Sequence, residues 1–183
     1  MTAKNNKNYN YTEIERVEYL KEILKRLNDD VGTCLKLIKD HNQKNSRKIG
    51  YWISIRIIMP IVETISRTLG IKTEELLKNM GIDTPYLMWD MFRNSLMHSD
   101  QLSSARYENI IEIGWSLSIE SFDCFTSKDH IHFDASDFLN KLRKILEDEI
   151  KKNDRTIIKI PTTIRYKDPD KEIINEFKFI NSL

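Results

Sequence analysis

The stretch SRKIGYWISIRIIMPIVETISRTLG, residues 46–70, decides the fold. Ser46 is a residue type that caps helix starts, and Gly70 stands where a helix ends in the left-handed conformation. Between them Ile49, Trp52, Ile53, Ile55, Ile57, Ile58, Met59, Ile61, Val62, Ile65 and Leu69 cover most of a helix circumference. A helix apolar nearly all round belongs at the centre of a bundle or in a subunit interface. Pro60 predicts a kink, because proline lacks an N–H and crowds the preceding turn.

The other elements arrange themselves around that helix. Upstream, Thr12 and Glu15 have capping-box spacing, and Ile14, Val17, Leu20, Ile23, Leu24 and Leu27 recur at helical intervals, which predicts a first helix over about 13–28. Val31, Cys34, Leu35 and Ile38 mark a second segment over 30–40. Downstream, Thr73 opens a short helix ending near Gly81, and Asp83-Thr84-Pro85 opens another reaching about His98. From residue 104 the period changes: Ile111, Ile113, Trp115, Leu117 and Ile119 alternate as in a strand, and 131–133 form a second short strand. Residues 136–152 read as an amphipathic helix, and 156–160 as extended. The fold class is therefore mainly α: a helical bundle with a small antiparallel β appendage and a C-terminal helix. The organisation expected is a flexible leader over 1–11, a helical domain over 12–125, and an appendage over 126–183 packed on the same domain.

Composition narrows the function classes. The chain has 183 residues, 40% of them apolar and 31% charged, with a net charge of +1, so the whole molecule is not a general polyanion binder. No stretch is long and apolar enough for a bilayer, and the Asn-rich start has no apolar signal core, so a cytoplasmic protein with no membrane partner is expected. Two cysteines, Cys34 and Cys124, make neither a disulfide framework nor a thiolate zinc site. None of the five glycines belongs to a phosphate-cradling loop. The charge is uneven: +5 over residues 1–60, −7 over 61–140 and +3 over 141–183. Much of the first excess sits in Lys36, Lys39, Lys44, Arg47, Lys48 and Arg56. Such a run is either a solvated face or a surface for phosphates.

Few residues can carry chemistry. His41 lies in a polar segment and reads as a surface residue. His130 and His132, two apart with Asp134, could form a metal edge, but two histidines without a firm third ligand do not make a site, and no metal is assigned. His98 differs in its company: Met91-Phe92-Arg93-Asn94-Ser95-Leu96-Met97-His98 places an arginine, an asparagine and a histidine within six residues late in an apolar helix. Imidazole suits proton transfer near neutral pH, and guanidinium is a permanently charged fork suited to a phosphoryl group. Asn94 and His98 share a helix face. Arg93 and His98, five apart, converge only if Arg93 uses its length, if the helix loosens, or if a second subunit supplies one partner.

Arg-Asn-x3-His after a long apolar helix resembles the R-x4-6-H signature of HEPN-domain proteins, over roughly residues 12–125. In a chain of this composition an Arg five residues before a His arises by chance about 0.2 times, and with Asn following about 0.02 times. The resemblance implies a helical bundle, often a homodimer, and in many members a metal-independent endoribonuclease acting as a toxin or phage-defence effector, with RNA as substrate and an antitoxin protein as possible partner. It implies that His98 takes the proton from an RNA 2′-hydroxyl, that Arg93 stabilises the charged transition state and that Asn94 keeps the site aligned. The products implied are a 2′,3′-cyclic phosphate and a 5′-hydroxyl, with no cofactor. Glu63, a carboxylate inside the apolar run, is an accessory candidate or an ordinary pair with Arg67. Lys44, Arg47, Lys48 and Arg56 are RNA-binding candidates, needed because the middle third is acidic. Rival readings are a non-catalytic HEPN-like interaction module and a regulator binding a small ligand or nucleotide through Arg93 and His98.

Overall fold

The structure, a computed structural model, describes residues 7–94, 104–107, 111–120, 123–126, 129–166 and 171–180. The described residues divide into two compact units: those within Arg16–Arg155, and those up to Glu15 together with those from Thr156 on.

The larger unit is mainly helical. Helix α1 (Arg16–Arg26) runs into a wide, π-type turn over Leu27–Gly32 and then α2 (Thr33–Lys44). Helix α3 (Tyr51–Leu69) is the long apolar helix, followed by α4 (Thr73–Asn79) and α5 (Pro85–Trp89), which widens into a second π-type turn over Asp90–Asn94. Strands β2 (Ala105–Tyr107), β3 (Ile111–Ser118), β4 (Phe125–Thr126) and β5 (His130–Asp134) precede α6 (Ala135–Lys151). The smaller unit pairs β1 (Lys7–Glu15) antiparallel with β6 (Ile157–Tyr166) and ends in α7 (Lys171–Ile180). Among the described residues no helix is long and apolar enough to cross a membrane.

The core of the larger unit explains its order. Ile55, Ile58, Met59, Val62 and Ile65 of α3 are buried against Leu20 and Ile23 of α1 and against Phe138, Leu142 and Leu146 of α6. Each helix buries one stripe, as its periodicity requires. Phe133 of β5 joins the sheet to this core: its ring centroid lies 5.3 Å from Phe92 and 4.8 Å from Phe138. Helix α3 passes through Pro60 without a break, and at its end Gly70 (φ +71°) donates to Arg67 while Ile71 donates to the carbonyl of Ser66, the paired bonds that close a helix on a left-handed residue. Its start differs from the expectation at Ser46. Gly50 (φ +85°) is the last residue before the helix, and Asn42 holds the preceding loop by bonding both backbone groups of Ile49 at 3.0 and 2.9 Å.

Other elements also differ from the sequence reading. The Thr12–Glu15 capping pattern is not used, because β1 runs through it, with Thr12 opposite Ile160 and Glu15 opposite Ile157. The strand also takes in residues 7–11 of the expected leader. The expected boundary at 125/126 falls inside the larger unit, whose core includes Phe133 and α6. The four-stranded sheet has order β2-β3-β5-β4. Its β2–β3 and β4–β5 pairs are antiparallel as expected, but β3 and β5 at its centre run parallel.

Candidate functional site

Arg93 lies in the wide turn that prolongs α5. Its guanidinium reaches across to α3, where Nη2 donates to Glu63 Oε2 at 3.0 Å, and its Cζ sits 5.6 Å from the centroid of Trp89, one turn earlier. The other oxygen of Glu63 accepts from Arg67 Nη2 at 2.8 Å. One carboxylate therefore holds two guanidinium groups and leaves the trio with net positive charge. The Arg93 side chain retains about 25% of its exposure, so it is anchored without being walled off from solvent. Glu63 pairs with Arg67 as a helix neighbour and with Arg93 across elements; the two roles coexist.

The remaining proposed site residues are distributed as follows. Asn94 closes the same wide turn in its backbone. His98 lies outside the described residues. Arg56 is exposed on α3, two turns before Glu63 and hence on the same face. Lys44 at the end of α2, and Arg47 and Lys48 in the loop to α3, are exposed, and Lys48 donates to the carbonyl of Asn42. Trp89 was not singled out in the sequence; its position four before Arg93 was the available signal.

A second polar constellation lies on the β3–β5 pair. The parallel register sets Ser116 beside His132 and Ser118 beside Asp134. Ser116 Oγ is 2.8 Å from His132 Nδ1, Ser118 Oγ is 3.1 Å from His132 Nε2, and the Ser118 hydroxyl donates to Asp134 Oδ2. Because Ser118 gives its proton to Asp134, its oxygen accepts from Nε2–H, and Nδ1 accepts from Ser116. Asp134 is buried and caps α6, its Oδ1 accepting from the Asp137 N–H at 2.9 Å. Burial lowers the His132 pKa from its ordinary value, against the opposing pull of Asp134. Both ring nitrogens are occupied by hydroxyls and Asp134 does not touch the imidazole, so the order of a nucleophilic triad is not met. Phe125 stacks on His132 at 4.9 Å and lies edge-on to His130 at 5.6 Å. Among the described residues no group of His, Cys, Asp and Glu is arranged to hold a metal.

Cys124 sits beside this network. Burial, with the Asp137 carboxylate nearby, pushes its thiol up to about 12, which leaves it a structural group rather than a nucleophile. Asp137 is in turn held by Lys141 at 2.7 Å. No protein-family model, no curated protein and no solved structure matches the chain.

Proposed function

We propose that the protein is a HEPN-like, metal-independent endoribonuclease, with Arg93 and His98 as its catalytic pair and Asn94 as the residue that aligns them. On this reading His98 removes the proton from an RNA 2′-hydroxyl. The oxygen attacks the adjacent phosphorus, the bond to the 5′-oxygen breaks, and a 2′,3′-cyclic phosphate and a 5′-hydroxyl result. Arg93 offsets the charge that accumulates on the phosphoryl oxygens. The nucleophile belongs to the substrate and is already adjacent, so positioning supplies much of the rate.

The observation that supports this reading best is the state of Arg93: a guanidinium fixed by Glu63 and Trp89, still reachable by solvent, in a widened turn next to the Asn-x3-His sequence. Glu63 then acts as a positioning residue. The proposal includes a homodimer, supported by apolar side chains that α3 leaves on the surface, Ile53 at 54% and Trp52 at 38% exposure. A cytoplasmic toxin or defence effector held by an antitoxin is the setting proposed for such an activity.

Incubation of purified protein with mixed RNA in EDTA tests the proposal. The expected result is cleavage to cyclic-phosphate ends, lost by at least 100-fold in both His98→Ala and Arg93→Ala. Clean wild-type protein that cleaves nothing would instead support a non-catalytic interaction module.

A further inference from the structure

A second basic surface, whose lining does not include Arg93, lies between α2 and α6. A cleft of about 240 Å³ is lined by Lys36 and Lys39 on one wall and by Asn140 and Arg143 on the other, with Ser136 at the first turn of α6. Leu35 and Leu139 form its apolar lining. Lys36 and Lys39 are one helical turn apart, as are Asn140 and Arg143, so the polar groups form two facing rails.

No carboxylate among the described residues lines this cleft. Among the described residues, no carboxylate lies within ion-pair distance of Lys36, Lys39 or Arg143, whereas Lys141 and Lys151 of α6 each hold one. Arg143 is steered by neutral acceptors instead: Nε donates to Asn28 Oδ1 at 2.7 Å and Nη1 to Asn140 Oδ1 at 3.1 Å. Gly32 belongs to the same device. Its backbone (φ −60°, ψ −43°) suits any residue, so conformation does not require glycine there. A Cβ at that position would lie 2.8 Å from Arg143 Nη2. The missing side chain is the space the guanidinium occupies.

From this geometry we infer that the α2–α6 cleft binds the phosphodiester backbone of a single RNA strand. Three cations without an ion-pair partner suit phosphate, while the amide N–H₂ of Asn140 and the oxygen of the Ser136 hydroxyl, whose proton goes to the Ile119 carbonyl at 2.8 Å, suit ribose. Among the described residues no aromatic side chain lines the cleft to stack a base, so the proposed recognition is independent of sequence. Paired rails a turn long suit a strand passing along them better than one point phosphate. The inference rests on the proposed action on RNA, and gives that action a holding surface apart from the Arg93 centre.

Fluorescence anisotropy with a 2′-O-methyl oligoribonucleotide, which lacks the attacking hydroxyl, tests it across a salt series. Wild type should bind, and Lys36→Ala/Lys39→Ala/Arg143→Gln should bind at least 10-fold more weakly. The slope of log affinity against log salt should fall by about 2, at ~0.7 per phosphate contact. Gly32→Ala keeps every charge but displaces Arg143, and should weaken binding several-fold with an unchanged or raised melting temperature. Wild type that fails to bind, or a triple variant that binds as wild type does, overturns the inference. So does a mononucleotide or inorganic phosphate that binds as tightly as the oligomer, since either means a point site. Protein that binds the probe with these properties but cleaves no RNA upholds the cleft and refutes the nuclease. Protein that cleaves RNA while the triple variant binds normally does the reverse.

Discussion

Asp134→Ala should be among the most damaging single substitutions outside the apolar core, and its cost can be assembled from the structure. Asp134 is fully buried, caps α6 through the Asp137 N–H and accepts the Ser118 hydroxyl. Loss of a helix cap costs about 1 kcal/mol. Loss of a hydrogen bond to a buried carboxylate, with Ser118 left without its acceptor, costs about 2 kcal/mol more. A total of about 3 kcal/mol corresponds to a fall in Tm of roughly 6–12 °C for a chain of this length. Thermal unfolding followed by circular dichroism measures it. Asp134→Asn is the informative companion. It keeps an acceptor for the cap, but its amide N–H₂ can face Ser118, which must then turn its own proton toward His132 Nε2. The ring becomes the Nδ1–H tautomer and donates to Ser116. The expected cost is only about 1 kcal/mol, with an exchange of the two imidazole nitrogen-15 resonances. An Asp134→Ala loss below 1 kcal/mol, or an Asp134→Asn protein with the wild-type tautomer, refutes the hydrogen-bond order derived for this network.

Titration of His132, backbone strain at two glycines and burial of Cys124 each give a further outcome. Because burial lowers the His132 pKa below 6.5, the unfolded chain takes up this proton first on acidification. Its contribution to stability is complete above pH 6.5 and falls below it, by at most about 1.4 kcal/mol per pH unit, until the depressed folded value is passed. Denaturant titrations from pH 7.5 to 5 should show this slope in wild type and not in His132→Gln; parallel curves refute it. Gly50→Ala combines a left-handed φ of +85° with a Cβ only 2.6 Å from Ile38 Cγ2, whereas Gly70→Ala meets the φ of +71° with open space around it. The first should cost about 2–3 kcal/mol and the second about 1, and equal losses by denaturant midpoint would remove the role of Ile38. Finally, in a Cys34→Ser background, Cys124 with its thiol near 12 should resist a thiol-specific colorimetric reagent at pH 8 until the protein is unfolded. Rapid labelling of the native protein contradicts its burial.

The parts of the fold that periodicity made readable are those whose burial is local in pattern. Helices α3 and α6 bury a continuous stripe of Ile, Leu, Phe and Met, and β3 shows its alternation. The parts that stayed hidden depend on partners far along the chain. Thr12 and Glu15 have the spacing of a helix start, but β6, some 150 residues later, recruits them into a strand. The parallel β3–β5 pairing, and with it the Ser118–Asp134 bond, has no signature within either strand. At the candidate site Glu63 was legible as a charge within an apolar run, and Arg67 as its helix neighbour. Its reach to Arg93, 30 residues on, was not. The α2–α6 cleft joins Lys36 and Arg143 through tertiary packing alone, and the fit of Arg143 against Gly32 shows only in the fold.

The distribution of charge gives these elements a common logic. The middle third of the chain is acidic, which opposes RNA, yet Glu63 within it is committed to two guanidinium groups and repels an approaching phosphate less than an unpaired carboxylate would. Arg56 adds a cation on the same face of α3. The cleft cations of α2 and α6, which hold no ion pair, belong to the basic first and last thirds of the sequence, and the fold brings them to one cleft. On the proposed function and the proposed cleft, holding a strand and cutting it would fall to different residues: Lys36, Lys39 and Arg143 would contribute affinity that weakens with salt, while Arg93 and His98 would contribute rate. The proposed division predicts separable defects. Loss of the cleft raises the RNA concentration needed for half-maximal cleavage and leaves the saturated rate near wild type, because binding lost equally from ground and transition states does not slow the chemical step. Loss of Arg93 lowers the saturated rate. A cleft variant that lowers the saturated rate as far as Arg93→Ala does would show that the two surfaces act as one site.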